Sequence, residues 1–469
     1  MSTQCTPTQL EFHSIDRREI VARFDGGNIT SDAGGLLLRE VERRCGIIRG
    51  FASCFEDLRD PDLIEHSVAE LVGQRIYGLA LGYEDLNDHD ELRSDPMLAV
   101  LVGKKDPEGQ DRVRTQDKGK ALAGKSTLNR LELTPADPTA AEQRYKKIIM
   151  NTEAIDRLFV DAFLQAHEEA PEEIVLDVDA TDDPLHGNQE GRFFHGYYMN
   201  YCYLPLYIFC GEHLLCARLR PSNIDASAGT VDELKRIVGQ IRAAWPQVRI
   251  TVRGDSGFCR DEIMAWCEAN AIDYVLGFAK NERLKTIIAA ELQQAQLLYE
   301  QTQKPARVFK DFRYETRESW TRERRVVAKA EHLDKGANPR FVVTSIGKER
   351  MDARTLYEEL YCGRGEMENR IKEQQLWLFA DRTSTGKMRA NQLRLYFSSV
   401  AYLLMQALRR LGLKGTQMAT AQCQTIRLKL LKIGAQVKVT VRKVWISLAG
   451  GYPYADLFVQ VCQNLQTVN

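Results

Sequence analysis

The clearest pattern in the chain is a strict alternation over residues 174–181. Ile174, Leu176 and Val178 share one face of a predicted strand, and Val175, Asp177, Asp179 and Thr181 share the other. The run YCYLPLYIFCGEHLLCARLR then reads as two strands turning at Gly211-Glu212-His213, a hairpin. Helical spacing follows over 226–244 and ends at Trp245-Pro246. VRITVRGDSGF predicts a strand ending at Asp255, residues 261–270 a helix, and IDYVLGFA a further strand. Earlier in the chain, residues 31–44 predict a helix with Ser31 or Asp32 as its cap. Val68, Leu71, Val72, Ile76 and Leu79 fall at helical spacing. Later, residues 305–346 are strand-rich and charged, with an Asn-Pro turn at 338–339. Helical sequence resumes over 352–372 and 388–411. The tail holds TIRLKLLKIG, a predicted helix, and QVKVTVRKVWISL, a predicted strand with Lys438, Thr440 and Arg442 on one face.

The middle of the chain therefore runs strand, strand, strand, helix, strand, helix, strand. The first three strands are expected to be antiparallel and the later ones parallel through helical crossovers. That is the ribonuclease-H-like order, an α/β class with a mixed sheet. A chain of 469 residues is too long for one core. We expect a mostly helical, DNA-binding N-terminal domain over 1–150 and the first part of the core over 151–300. A β-rich insertion over 301–347 and the last part of the core over 348–400 follow. A C-terminal region over 401–469 would serve DNA binding or dimerisation.

Composition changes this picture little. The hydrophobic fraction of 44% and charged fraction of 28% are those of a globular protein. No run approaches the roughly 20 apolar residues that span a bilayer, and the start shows no basic-then-apolar leader, so no membrane and a cytoplasmic, nucleoid-associated location are expected. The net charge of -1 argues mildly against nucleic acid as a partner, yet a local basic face matters more than the total. Residues 104–130 carry eight Lys and Arg against four acids, which suits a solvated loop or a DNA-backbone contact. Within them Gly119–Ser126, GKALAGKS, matches a phosphate-binding loop pattern, but DRVRTQDK before it cannot be the buried strand such a loop needs. The 11 cysteines form no CxxC pair and read as small buried hydrophobes. His186 and His195 flank a Gly-rich turn without a zinc-like cluster.

The candidate chemistry lies in three acids. Phosphoryl transfer in DNA can use two metal ions about 3.5–4 Å apart, and Mg²⁺ or Mn²⁺ takes carboxylate oxygens. Asp179, Asp255 and Glu368 can supply these from two strands and a helix. Tyr361, Arg364, Glu368 and Lys372 are spaced three, four and four residues apart, along one helical face. Arg364 and Lys372 could there meet phosphate oxygens. A surface salt-bridge stripe has the same spacing. Gly363 and Gly365 weaken the helix and suggest a close backbone approach or a distorted turn. Asp177 rivals Asp179 on the same strand face, while Asp182 and Asp183 read as turn residues before Pro184.

At these residues the chain resembles the DDE transposases of the bacterial insertion-sequence 1380 family, related to the insertion-sequence-four superfamily. The stretches that carry the resemblance include FDGGNITSDAGGLLL, GYEDLNDHDELRSDPML, LAGKSTLNRLE, DATDDPLHGNQEGRFFHGYYMNYCYLPLYIF, RGDSGFCRDEIMAWCE, GRGEMENRIKE and LFADRTS. The resemblance implies a DDE triad at Asp179, Asp255 and Glu368, with a β-rich insertion before the Glu, 113 residues after the second Asp. It implies a Y-x2-R-x3-E-x6-K signature, in which Tyr361 and Arg364 are kept as phosphate contacts. Gln375 stands where the Lys is expected, and Lys372 is the nearest substitute. It also implies an aromatic that stacks on a flipped base, for which Trp320 is the candidate beside a purely structural role. The function implied is binding of terminal inverted repeats, with metal-dependent cleavage and strand transfer into target DNA by a homodimer. The alternatives are a metal-dependent nuclease of the same fold and a catalytically inactive, domesticated DNA-binding protein.

Overall fold

The computed structural model describes residues 9–136 and 145–467, and the chain divides into two units. Residues 151–399 form one. Residues 1–150 and 400–469 form the other, so the two terminal stretches expected as separate regions fold together. The division falls inside the helix Met388–Leu408. Among the described residues no helix is long and apolar enough to cross a membrane.

The 151–399 unit is built on one mixed sheet. Its strands are β1 (Glu173–Ala180), β2 (Leu206–Cys210), β3 (His213–Arg218), β4 (Arg249–Gly254), β5 (Asp273–Phe278), β6 (Ala306–Tyr314), β7 (Arg324–Leu333) and β8 (Arg340–Thr344). They lie in the order β3-β2-β1-β4-β5-β8-β7-β6, with the short strand Gly336–Ala337 on β7. β1, β2 and β3 are antiparallel, and β4 is parallel to both β1 and β5, as the sequence order predicts. The strands read as an insertion extend this sheet, because β8 pairs antiparallel with β5.

Alternation assigns the two faces. Leu176 and Val178 of β1, Ile250 and Val252 of β4, and Leu276 of β5 are fully or nearly fully buried against helices. These include α1 (Thr152–Gln165), α2 (Thr230–Ala244) and α3 (Asp261–Ala269), through residues such as Phe163, Ile237 and Met264. A further helix, α4 (Ala289–Thr302), precedes β6. The other face is polar at β1 and apolar further along the sheet, where Val275, Val327 and Val342 meet Leu356 and Tyr357. Those two belong to a continuous helical rod. It begins at Ala353–Thr355, widens to a π-turn at Leu356–Tyr361 and tightens to a 3-10 turn at Cys362–Arg364. It continues as α5, Gly365–Leu378.

In the other unit, the helix Val68–Leu81 follows the predicted periodicity. It starts on a capping box, Ser67 with Glu70. The buried pair Arg75–Glu132, at 2.9 Å, ties it to the helix Lys125–Glu132. Two expectations are corrected here. Neither Ser31 nor Asp32 makes a side-chain cap for the first helix. Asp32 is buried instead, accepting from the Tyr83 hydroxyl at 2.6 Å and pairing with Lys432 at 2.6 Å. The tail segment read as one strand is a hairpin, Ala435–Val439 with Val444–Leu448. Its turn takes Thr440 and Arg442 off the strand that holds Lys438. A second partner, Asn28–Thr30, completes a three-stranded sheet from both ends of the chain.

The glycines give a stability test with opposite signs. A Cβ on Gly34 would lie 1.8 Å from the Leu430 carbonyl oxygen, whereas one on Gly365 would meet nothing within 4 Å. Gly365 already has helical backbone angles. Gly34→Ala is expected to cost about 1–3 kcal/mol in urea unfolding. Gly365→Ala should be neutral or stabilise by up to about 1 kcal/mol.

Candidate functional site

The position of each acid follows from strand parity. Asp177 and Asp179 alternate with Leu176 and Val178, and therefore leave the helix-covered face of the sheet. On β4, Arg253 has the parity of Thr251, and Asp255 continues it one step past the strand end. Arg253 is paired in register with Asp177 on the parallel neighbour. One rung further, the carboxyl end of β1 presents Asp179 beside the carboxyl end of β4, which presents Asp255. Side chains at the carboxyl ends of adjacent parallel strands are the usual place for a site in such sheets.

The sequence left Asp177 and Asp179 as rivals, and their surroundings separate them. Asp177 is buried and held by both arms of the Arg253 guanidinium, at 2.5 Å from Nε and 2.8 Å from Nη2. Arg253 also donates to the Leu360 carbonyl in the rod, so this pair fastens β1, β4 and the rod together. A Cβ on Gly363 would lie 2.6 Å from Arg253 Nη1, which is the close approach that its glycine permits. Asp179 makes no such pair. It accepts from the Ala180 N–H at 2.9 Å and stands 3.6 Å from Arg364 Nη1.

Asp179, Asp255 and Glu368 line a single cleft of about 600 Å³, shared with Arg364, Lys372 and Gln375. Asp255 accepts from the Gly257 N–H at 2.8 Å, which fixes the turn after β4. Arg364 reaches Glu368 at 2.7 Å, one helical turn on, and so stands between the helix acid and Asp179. As placed, no three His, Cys, Asp or Glu side chains among the described residues are close enough to share one ion. Burial pushes the Asp179 carboxyl up to about 7, against the pull of Arg364, with Asp255 and Glu368 adding to the rise. Burial pulls the Arg364 guanidinium down, but Asp179 and the neighbouring groups more than offset it and hold it above its ordinary value. The donor set consists of hard carboxylate oxygens with one guanidinium among three acids. That chemistry fits Mg²⁺ or Mn²⁺ better than a soft metal.

The other predicted residues are distributed unevenly. Lys372 is exposed on the cleft wall and has no carboxylate partner among the described residues. Gln375 donates to the Asp182 carbonyl at 3.2 Å. Tyr361 does not line the cleft. Its ring packs on Tyr357, and its hydroxyl lies against Gly277, where a Cβ would be 2.6 Å from it and 2.9 Å from the Ser256 nitrogen. It thus sits behind the Asp255 turn. Trp320 is half-buried, with its ring centroid 4.9 Å from Phe278 and 5.9 Å from Tyr314, and Arg324 over its face. Asp183 is not an exposed turn residue. It is buried in a short strand and accepts from the Thr383 hydroxyl at 3.0 Å, and burial drives its carboxyl well above the usual range.

Sequence reasoning missed one part of the cleft. His195, Tyr197 and Tyr198 line it from the hairpin Phe193–His195 and Asn200–Tyr203. Tyr197 is 84% exposed, and Phe194, Met199 and Tyr201 are also exposed on the same hairpin. The available signal was the density of aromatics in RFFHGYYMNYCY, too many for one short surface hairpin to bury.

The family described as transposase DDE domain group 1 matches residues 12–469, and the chain belongs to it. No curated protein matches the chain. Membership makes it a transposase-type enzyme acting on DNA, from a family that generally uses divalent metals.

The two β1 acids have different expected effects. Asp177→Ala strands a buried guanidinium and should cost about 3–5 kcal/mol of stability in urea unfolding. Asp179 is the opposite case. Its carboxyl titrates above the ordinary carboxylate range in the folded state, so the folded protein favours the protonated acid, and stability from this group is lost as pH rises towards about 7. In EDTA, Asp179→Asn should raise Tm relative to the parent progressively from about pH 4 to pH 7. A constant difference across that window would contradict the assignment.

Proposed function

We propose that this DDE transposase binds the terminal inverted repeats of a mobile element, cuts at their ends and joins the freed 3′-OH to target DNA, acting as a homodimer. The observation that carries this reading is the convergence of Asp179, Asp255, Glu368 and Arg364 on one cleft, from two adjacent parallel strands and a helix. The strand order β3-β2-β1-β4-β5, with crossover helices before β4 and β5, supports a ribonuclease-H-like core. The family's more specific placement in the insertion-sequence 1380 group is supported by the sequence stretches quoted above.

Asp179, Asp255 and Glu368 would hold the divalent cations, which when bound supply positive charge to the attacking and leaving oxygens of an in-line displacement. The chain's own residues do the rest. Arg364 spans Asp179 and Glu368. Exchanging Glu368 for a non-bridging phosphate oxygen keeps the guanidinium paired and frees the carboxylate towards the two aspartates. Lys372 offers a second cation to the same phosphate, in the place of the signature Lys, and Gln375 fills the expected position as a neutral donor. Tyr361 acts by bracing the Asp255 turn; the phosphate contact first expected of it is better suited to Arg364.

For base stacking, the exposed ring of Tyr197 at the cleft is favoured over Trp320, which is engaged by three neighbours.

The test is Asp255→Ala. Binding of a terminal-repeat duplex should stay within a few-fold, while Mg²⁺-dependent cleavage falls by on the order of 10³-fold or more. Surviving cleavage would remove Asp255 from the triad. Joining of a pre-cut 3′-OH end to plasmid DNA by the parent protein separates a transposase from a nuclease of the same fold.

A further inference from the structure

The unit formed by residues 1–150 and 400–469 has a polar pocket of its own, of about 330 Å³. Its walls come from the residues just before the helix Val68–Leu81, from the loop that follows residue 111, and from the first turn of the helix Lys125–Glu132. The sequence marks this place twice, as the basic stretch 104–130 and as the loop-like run Gly119–Ser126. The run is not a nucleotide loop. A 3-10 turn, Thr115–Asp117, precedes it where a buried strand would be needed, and its Lys125 is paired with Asp90 at 3.2 Å.

Both charge signs line the pocket, and the pairing is uneven. Glu65 is engaged by Arg112 at 2.9 Å, and Asp117 lies 4.0 Å from the same guanidinium. Asp90 accepts from the Lys125 N–H at 3.0 Å and pairs with its ammonium. Arg59 is held by Asp57 at 2.7 Å. With the acids taken, Arg93, Arg114 and Arg130 line the pocket with no carboxylate partner among the described residues. Arg93 donates Nε to the Asp90 carbonyl, and Arg130 lies over the Tyr145 ring.

The remaining polar wall is neutral. His66 lines the pocket at 5% exposure, and its Nδ1 has no hydrogen-bond partner. Burial, with the positive field of Lys104 and Arg112, pushes the imidazole down to about 3, so the ring is neutral and offers one N–H. The Ser126 hydroxyl, on the first helical turn, also has no partner among the described residues. Three guanidinium groups without a salt bridge and a neutral hydroxyl around one small cavity are a receptor for a compact oxyanion.

We propose that this pocket binds a phosphate group, with Arg93, Arg114 and Arg130 gripping its oxygens and Ser126 donating from the wall. Guanidinium forks match phosphate oxygens in pairs. The volume is at the low end for ligand sites and takes a phosphate with its sugar more readily than a nucleoside triphosphate. The phosphate comes either from a DNA backbone or from a free anion. Only the DNA source rests on the proposed function.

The experiment uses the full chain without metal, so cleavage plays no part in it. Arg114 and Arg130 are exposed, and Arg114→Ala/Arg130→Ala should keep the parent Tm. Two titrations are run on the parent, on this variant and on Ser126→Ala: a terminal-repeat duplex at several salt concentrations, and inorganic phosphate. If the phosphate belongs to DNA, the double variant should bind duplex about tenfold or more weakly, with the salt slope reduced by about 2. If it is a free anion, inorganic phosphate should raise the parent Tm and not the variant's, with duplex affinity unchanged. Ser126→Ala should weaken whichever binding is seen by a smaller factor. A folded double variant that matches the parent in both titrations overturns the proposal. Asp255→Ala reads the other site, so the two readings fail separately.

Discussion

The Arg253–Asp177 pair is the contact on which the site's geometry depends. It occupies one rung of the parallel ladder between β1 and β4, and it reaches the helical rod through the Leu360 carbonyl. A buried ion pair gains little in stability over a well-packed apolar pair, because desolvation offsets much of the attraction. Its effect is on register. A slip of one residue would carry every side chain of β1 to the wrong face and would leave the guanidinium without a partner. Holding that rung fixes the next one, where Asp179 and Asp255 emerge. The contact to the rod sets the height at which Arg364 and Glu368 enter. The absence of a side chain at Gly363 lets the rod come that close.

Electrostatics then divides the polar face of β1 into a half paired within the fold and a half open to the cleft. Asp177 has its countercharge built in. Asp179 is almost as deep, yet the cation that reaches it among the described residues is shared with Glu368, and two further acids face it. Folding thus carries an unrelieved charge conflict at this position, of the kind that clusters at functional sites. Positive charge from outside the chain relieves that conflict, and negative charge on a phosphate suits Arg364 and Lys372. Both requirements are met by one cleft.

Much of this was legible in the sequence because it follows from periodicity. The alternation around Asp179, the strand ending at Asp255 and the hairpin at Gly211 are local patterns, and the sheet order follows from short connections. The choice between Asp177 and Asp179 was not legible, since it depends on Arg253, a residue 76 positions away whose strand lies alongside. The π-turn in the rod was also hidden. Gly363 and Gly365 signalled an irregularity, but its form depends on how the rod packs over β5. The extension of the sheet by β8 was missed because charged, strand-rich sequence reads the same whether it forms a separate layer or an added edge. Asp32 and Asp183 illustrate a common error. Both looked like cap or turn residues by local chemistry, and tertiary partners claim them instead.

The aromatic residues show the same limit and its converse. Trp320 was the candidate because the resemblance implies a base-stacking aromatic and it lies in the strand-rich stretch, yet its position beside Phe278, Tyr314 and Arg324 uses its faces for packing. The tyrosines of the hairpin around Gly196 are individually ordinary, and only their placement distinguishes them. Tyr197 stands at the edge of the cleft with its ring 84% exposed, although burying such a ring is worth about 2–3 kcal/mol. A fold that leaves that ring uncovered beside a charged cleft forgoes that stabilisation. On the function proposed above, an unpaired base, flat and apolar on its face, would cover the ring while its phosphate meets Arg364 and Lys372.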